Sequence, residues 1–309
     1  MVAAVLPLLL LILLGAGLSH GGFLDEDRRR TVDALLFFVL MPAFIVARLG
    51  RAELDPQALV DLAILVSALI AATGILLMFL RRPICAALGG LSGPTFTSLL
   101  QGVIRNNFFI PFAIAETAGL DIGALLAMAT VMNILPATAI SVIALGLHGE
   151  GGRMPGWRSG LVALVRNPLV LAALAGSALS VSGLGLAAPL EGALRLLGDG
   201  VLGLALLAVG AGLRLSSMPR ARAGILLSSL AKLVLLPLAA FFIASLIEAA
   251  QPTTLAALLL HTAPTAAGAF ILARQLGGDG ETMAVIISFQ TLACLVTMPL
   301  MLHLLGFSI

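Results

Sequence analysis

The sequence predicts an all-α membrane protein with ten transmembrane helices, and three observations carry this prediction. Of its 309 residues, 60% are apolar and only 10% are charged, whereas soluble domains carry roughly 25% charged residues. The apolar residues form long continuous runs, unlike the alternating segments of a membrane β-barrel. One spanning helix needs about 20 residues, so a chain of this length holds about ten of them. The composition excludes a soluble enzyme, a disordered chain and a nucleic-acid-binding protein.

Polar residues, glycines and prolines divide the chain into ten apolar segments. The first segment lacks the basic start of a secretory signal, because the first charged residue is Asp25, so we predict that it spans the membrane. We expect the two cysteines, Cys85 and Cys294, to be small apolar residues and not a disulfide or metal site. The ten predicted spans are residues 2–19, 33–49, 58–80, 95–118, 122–147, 161–182, 192–213, 222–247, 253–275 and 282–305.

The arginines in the loops predict the orientation of the chain. Loops after even-numbered spans hold Arg48 and Arg51, whereas loops after odd-numbered spans hold many more. Cytoplasmic loops carry the excess of basic residues, so we expect the odd loops to be cytoplasmic and both termini to lie outside an inner membrane. The arginines of the odd loops are Arg28, Arg29, Arg30, Arg81, Arg82, Arg153, Arg158, Arg214, Arg220, Arg222 and Arg274.

Two weak internal repeats divide the chain near its middle. They predict a first repeat over 1–148, a cytoplasmic linker over 149–160 and a second repeat over 161–309. Because each repeat holds an odd number of spans, the second is inverted relative to the first, which is the plan of secondary transporters. The matched pairs are Phe112/Phe270, Ala115/Ala273, Gly119/Gly277 and Asp121/Asp279, and, at a slightly different offset, Gly15/Gly176, Leu18/Leu179, Ser19/Ser180 and Gly22/Gly183.

Polar residues and prolines interrupt spans 4 and 9 at matching places. Proline removes a backbone donor, and unwound backbone at membrane depth survives only where it is buried in protein or lines a cavity. The half-helix that follows points its free N–H groups into that cavity, so two such breaks form an anion site. Two ordinary proline kinks are the alternative. The predicted site residues are Arg105, Asn106, Asn107 and Pro111 in span 4 and Pro264 and Thr265 in span 9.

Arg105 is the most costly residue of the predicted spans, at about 2.5–3.5 kcal/mol for insertion at a helix centre. Its partner could be a substrate carboxylate, a lipid headgroup or Glu116. Asn133, which with Pro136 interrupts span 5, either caps unwound backbone or binds the ligand. The same two roles are open for Gln290 in span 10.

Four further residues are candidates for coupling transport to an ion. Asp61 and Glu116 are proton carriers by residue type, with surface carboxylates as the alternative. Lys232 in span 8 either reaches the cavity or pairs with an acid. His261 either titrates near neutral pH or is a core histidine.

Several short motifs together resemble the auxin efflux carrier family, in its prokaryotic branch of malonate- and malate-type permeases. The resemblance covers essentially the whole chain. The motifs are Gly15 to Leu24, Met41-Pro42-Ala43-Phe44, Arg105 to Ile110, Arg166-Asn167-Pro168-Leu169, Lys232 to Pro237, Ala263-Pro264-Thr265 and Ala273 to Gly278.

This resemblance implies ten helices in two inverted five-helix repeats, with the broken helices 4 and 9 crossing at the site. It also implies a scaffold of spans 1, 2, 6 and 7, a transport part made of the others, elevator-type alternating access and often a homodimer. Family members move organic anions, and Asn106-Asn107 and Pro264-Thr265 match the family's crossover. Ala266-Ala267-Gly268 departs from the pattern, because many members carry Asn there.

We therefore expect a secondary transporter of small organic anions, auxin-like or dicarboxylate, with H⁺ or Na⁺ as possible coupling ions and no cofactor or metal. A sodium-coupled symporter of the bile-acid type is the alternative, since it shares the inverted-repeat plan. A passive channel is a third reading. A membrane-embedded enzyme is disfavoured because the sequence lacks the G-x-S-x-G and H-E-x-x-H motifs and paired intramembrane aspartates.

Overall fold

The computed structural model describes residues 2–53, 55–151, 166–183, 185–214 and 221–307. Within these ranges the regular structure is helical, apart from one isolated β-bridge. The helices are α1 (Val2–His20), α2 (Glu26–Leu49), α3 (Pro56–Phe79), α4 (Arg81–Ala87), α5 (Gly93–Ile104), α6 (Phe109–Thr117), α7 (Gly123–His148), α8 (Pro168–Ser182), α9 (Ala188–Ala211), α10 (Arg222–Leu246), α11 (Gln251–Thr262), α12 (Gly268–Gln275) and α13 (Gly280–Leu304).

Six of the described helices, α2, α3, α7, α9, α10 and α13, are long and apolar enough to cross a membrane. The predicted spans 1 and 6 correspond to the shorter apolar helices α1 and α8. The predicted broken spans 4 and 9 correspond to the helix pairs α5–α6 and α11–α12. Most of the predicted linker, the start of span 6 and three of the loop arginines (Arg153, Arg158 and Arg220) lie outside the described residues.

Short polar side chains start several of these helices. Asp25, Asp55, Ser92, Asn167 and Asp279 each accept a hydrogen bond from a backbone N–H in the first turn of α2, α3, α5, α8 and α13. Such a cap contributes about 1 kcal/mol by satisfying a donor that has no partner in the helix. Helices α3, α5 and α13 start two residues before the predicted boundaries, whereas α2 and α8 start seven residues away from theirs.

The repeated glycines adopt the same backbone conformation in both halves. Gly22 and Gly183 follow α1 and α8 with φ of 75° and 65°, and Gly119 and Gly277 follow α6 and α12 with φ of 66° and 75°. Glycine ends helices in this left-handed region because it has no Cβ. The sequence matches at these positions therefore coincide with matching helix ends.

The helices pack in two sets. In the first set, α1 lies along α9, and α2 packs against α8 and α9. The α1–α9 contact is close, since a Cβ at Gly210 would overlap the Ile12 carbonyl and a Cβ at Gly15 would overlap the carbonyl of Leu207. In the second set, α5, α7, α11 and α13 pack on one another and against α3 and α10.

Candidate functional site

The two broken helices meet at their breaks. The chain is extended at Arg105, after α5, and at Ala263, after α11. Asn106 and Thr265 form an antiparallel β-bridge, in which the Asn107 N–H donates to the Pro264 carbonyl at 2.8 Å. The Ala266 N–H donates to the Arg105 carbonyl at 3.3 Å. Each unwound segment thus supplies partners for backbone groups that the break in the other helix leaves free.

The pairing has the symmetry of the sequence repeat. An offset of 158 residues matches Asn106 with Pro264 and Asn107 with Thr265. The bridge joins Asn106 to Thr265, and the 2.8 Å hydrogen bond joins Asn107 to Pro264. Replacing each residue of the first pair by its match in the other half gives the second pair. An antiparallel crossing of two equivalent strands produces this exchange.

Gln290 of α13 holds the second break in place. Its Oε1 accepts the Thr265 N–H at 3.0 Å, and its Nε2 donates to the Gly102 carbonyl of α5 at 3.0 Å. The Thr265 hydroxyl lies 2.7 Å from Gln290 Oε1 and 2.8 Å from the Gly102 oxygen. Glycine at position 102 also lets α10 and α13 approach α5, because a Cβ there would lie 2.6 Å from the Ser228 Oγ and 3.0 Å from the Ile286 side chain. Gln290 and Thr265 therefore bind protein at the crossing.

Two asparagines cap the ends of the first break. The Asn107 Oδ1 accepts the backbone N–H groups of Phe109 at 2.9 Å and Ile110 at 3.3 Å, so it caps the start of α6. The Asn133 Nδ2 donates to the Ile104 carbonyl at 3.3 Å, at the end of α5. Of the two roles left open for Asn133, the geometry is that of the cap.

The expectation that Asn133 and Pro136 interrupt span 5 is wrong. Helix α7 runs without a break from Gly123 to His148, with Pro136 inside it. Pro136 cannot donate to the Met132 carbonyl one turn earlier, and Ser67 Oγ of α3 donates to that carbonyl at 2.7 Å instead. A neighbouring hydroxyl therefore keeps the helix intact.

Pro111 does not produce the break in span 4. It lies in the first turn of α6, where a backbone N–H has no partner within the helix in any case. The break lies earlier, at residues 105–108. On the α11–α12 side, Pro264 does lie in the break, and its carbonyl accepts the hydrogen bond from Asn107.

Arg105 and Asn106 carry polar atoms that have no partner among the described residues. These are Nε and Nη1 of Arg105 and both side-chain polar atoms of Asn106, all buried. The Arg105 Nη2 lies 3.7 Å from the position that a Cβ on Gly268 would take, at the start of α12. Glu116 is not the partner of Arg105, because it pairs with Arg48. The unpaired donors near a half-helix start are suited to an anionic ligand.

The three other coupling candidates lie on the neighbouring helices α3, α10 and α11. Asp61 is buried and accepts a hydrogen bond from Gln57 Nε2 at 2.8 Å. Lys232 is fully buried and its Nζ has no partner among the described residues. The His261 Nε2 lies 2.8 Å from the Leu65 carbonyl, while its Nδ1 is unpaired within the described part of the chain.

A pocket reaches the crossing from the side where α2 and α13 begin. Asn107 lies in its lining together with Thr291, the residue after Gln290. One wall comes from the second half of α9 and the residues around it, and the facing wall from α12 and α13. The lining residues are Arg29, Asn107, Ala208, Val209, Gly212, Arg214, Ala267, Phe270, Ala284, Ile287 and Thr291.

On the opposite side of the crossing, side chains of α2 and α6 contact each other. Arg48, near the end of α2, forms an ion pair with Glu116 of α6. The Phe44 ring packs edge-on against the Phe112 ring at 5.0 Å between centroids, and the Arg48 guanidinium lies 5.1 Å from the Phe44 ring centroid. The two sides of the crossing therefore differ, with a pocket on one side and the α2–α6 contacts on the other.

Sequence reasoning missed the pocket walls. The sequence indicates only a role in orientation for Arg29 and Arg214, because their positions near helix ends are typical of loop arginines. No local signal connects Arg29 with Arg214, which lies far along the chain in the same pocket.

Comparison with known protein families gives a match in the second half of the chain. Residues 157–302 match the family model described as membrane transport protein, that of the auxin efflux carrier family. The resemblance expected from the sequence is confirmed over this part, which contains Pro264, Thr265 and Gln290. Asn106 and Asn107 precede it. No curated protein matches the chain.

Proposed function

We propose that this chain, whose second half matches a family of membrane transport proteins, is a secondary transporter of small organic anions. The observation that carries the proposal is the crossing of two broken helices at Asn106 and Thr265, reached by a pocket from one side. Unwound backbone deep in a membrane protein is tolerated where it is buried in protein or lines a cavity, and transporter substrates bind at such breaks.

The charge of the crossing favours an anion. Helices α6 and α12 both begin at the breaks, and each helix start carries a partial positive charge. Arg105 adds a full positive charge, with two nitrogens that have no partner in the described part of the chain. Since the Asn107 Oδ1 is used in the cap of α6, its Nδ2 is the group that would donate to a ligand. A carboxylate would satisfy these donors.

We propose the ten-span, inverted-repeat architecture with a scaffold and a moving part. The packing of α1, α2, α8 and α9 as one set supports a scaffold, and the packing of α3, α5, α7, α10, α11 and α13 supports a second unit that carries the crossing. The symmetric pairing at the crossing supports the inverted repeat. An elevator movement of the second unit would transfer the site between the two membrane faces.

The location and assembly belong to the same proposal. The arginines near the pocket mouth, on the side of the odd loops, support a cytoplasmic opening by the positive-inside rule, in an inner membrane with both termini outside. A homodimer packed through the scaffold is proposed from the family resemblance, and crosslinking in native membranes tests it.

Counterflow in proteoliposomes tests the proposed function. We expect saturable exchange of at least one labelled mono- or dicarboxylate, and a loss of about tenfold in its binding for Arg105→Ala, because one charge-assisted contact to the anion disappears. Arg51→Ala is the matched control, since Arg51 pairs with Glu191 within the scaffold set. Single-channel currents, or no exchange of any carboxylate by folded protein, would contradict the proposal.

The same proteoliposomes test whether transport is coupled to an ion. An inside-negative potential favours exit of a monoanion by about 2.3 kcal/mol per 100 mV, so we propose that export needs no coupling ion and that uptake needs protons or sodium. Sodium-dependent substrate binding would favour the bile-acid-type symporter instead. Proton dependence that disappears in Asp61→Asn, Lys232→Gln or His261→Gln would identify the coupling residue.

A further inference from the structure

Two arginines face the pocket at its mouth, in addition to the groups at the crossing. Arg29 of α2 and Arg214, after α9, are the charged residues among the described residues of the lining, which include no carboxylate. The Arg214 guanidinium carbon lies 5.7 Å from the centroid of the Phe270 ring on the facing wall. The backbone N–H of Arg214 donates to Ser288 Oγ of α13 at 2.8 Å. Arg29 and Arg214 therefore line the same pocket as Asn107.

Arg29 is only weakly neutralised by protein. Its Nη1 lies 3.5 Å from the Oδ2 of Asp33, one turn further along α2, which is longer than the 2.7–2.9 Å typical of a charge-assisted hydrogen bond. Its side chain is 15% exposed, so little water solvates the charge. Gly212 makes room for this guanidinium, because a Cβ at that position would lie 3.1 Å from Nη1.

Arg214 shares its carboxylate with another arginine. Its Nη2 lies 3.2 Å from the Oε2 of Glu26, whose Oε1 already pairs with Arg30 at 2.6 Å. Releasing Glu26 from Arg214 therefore leaves Glu26 paired. An incoming carboxylate can replace it at Arg214 at little cost, since no buried charge is left without a partner.

The rest of the mouth is apolar. Ala208 and Val209 form one wall, and Phe270, Ala284 and Ile287 form the other. Walls of low dielectric focus the field of the two cations into the opening and raise the local concentration of anions. They also suit the hydrocarbon part of an organic anion and not a fully hydrated inorganic one.

We propose that Arg29 and Arg214 form an entry subsite, which captures a carboxylate of the transported anion before that anion reaches the crossing at Asn107. The proposal rests on the proposed function and adds a second binding position to it. Arginine suits this role because its planar group binds a carboxylate with two parallel hydrogen bonds. Asp33 and Glu26 hold the arginines while the subsite is empty.

Transport kinetics test the subsite, with labelled malonate as the probe and phosphatidylcholine vesicles as the membrane. We expect Arg29→Gln and Arg214→Gln each to raise KM for malonate about fivefold and to leave Vmax within twofold, because entry weakens while the crossing is unchanged. Asp33→Asn removes the competing acid and lowers KM about twofold. A merely structural role for the Arg29–Asp33 pair would instead move both variants in the same direction.

Arg51→Gln is the control, because Arg51 lies beyond the far end of α2 and pairs with Glu191. Vesicles with and without anionic lipid distinguish the two sources of an anionic group at these arginines, a lipid headgroup and the transported anion. A KM effect that appears only with anionic lipid would assign the arginines to a lipid headgroup and overturn the subsite. An unchanged KM for malonate in both arginine variants, while the parent protein transports malonate, would also overturn the subsite. A folded parent that transports no carboxylate contradicts the proposed function instead.

Discussion

The Asn107 N–H donates to the Pro264 carbonyl at 2.8 Å, which joins two unwound segments separated by more than half the chain. With the bridge between Asn106 and Thr265, this bond compensates the backbone groups that each break leaves without helical partners. The crossing is therefore a joint element of both halves, and neither half can form it alone.

Removing the Thr265 hydroxyl should weaken the crossing. Thr265→Val loses the hydroxyl contacts to Gly102 of α5 and Gln290 of α13. We expect the free energy of unfolding to fall by about 0.5–1.5 kcal/mol, the net contribution of one hydrogen bond, because both acceptors keep a second donor. Thr262→Val is the matched control, since the Thr262 hydroxyl donates to Leu258 in its own helix, where the carbonyl keeps its backbone partner. Thermal unfolding in detergent measures both, and equal losses would contradict the role of Thr265.

Asn107→Asp should separate capping from ligand binding. The aspartate still accepts the Phe109 N–H and suits a helix start, so thermal stability stays within about 0.5 kcal/mol. Binding of a carboxylate falls at least about tenfold, because a negative charge enters the anion pocket. Asn167→Asp provides the control, as Asn167 caps α8 with the same 2.9 Å geometry. Retained carboxylate binding in Asn107→Asp would place the anion elsewhere.

The Arg48–Glu116 ion pair should control separation of α2 from α6. Its side chains are 39% and 43% exposed, so it is worth about 0.2–1 kcal/mol, enough to change a transition rate up to about fivefold. We expect Arg48→Glu and Glu116→Arg each to alter the exchange rate and the double swap to restore it.

The Arg51–Glu191 pair provides the comparison for this experiment. It joins the end of α2 to α9, two helices that pack in the same set, so its reversal should leave the rate unchanged. A double swap of Arg48 and Glu116 that fails to restore exchange would refute control by this pair.

Substitution by alanine should have different effects on stability at two glycines of α9. Gly210→Ala forces a methyl group against the Ile12 carbonyl of α1, and we expect destabilisation by about 1–3 kcal/mol. At Gly203 a Cβ would meet no atom of the described residues within 4 Å, so Gly203→Ala should be neutral or stabilise α9 by up to about 1 kcal/mol. Melting temperatures in detergent distinguish the two, and equal effects would show that α1 and α9 do not pack closely.

The breaks in spans 4 and 9 were predictable because their signal is local. Polar residues and prolines inside apolar segments mark unwound backbone, and the sequence offset matched Asn107 with Thr265. The same reasoning failed for Pro136, because its effect depends on a hydroxyl from another helix. Ser67 compensates the Met132 carbonyl, and nothing near Pro136 in the sequence indicates it.

The sequence by itself determined that this protein is helical and that lipid surrounds most of it. Long apolar runs require lipid, and lipid requires backbone groups to be satisfied within each segment. Only the tertiary structure decided which distant groups come together. Gln290 binds backbone groups of Gly102 and Thr265, and Arg29 and Arg214 line one pocket. Such contacts depend on packing between distant helices, whereas periodicity and capping report only on residues within a turn or two.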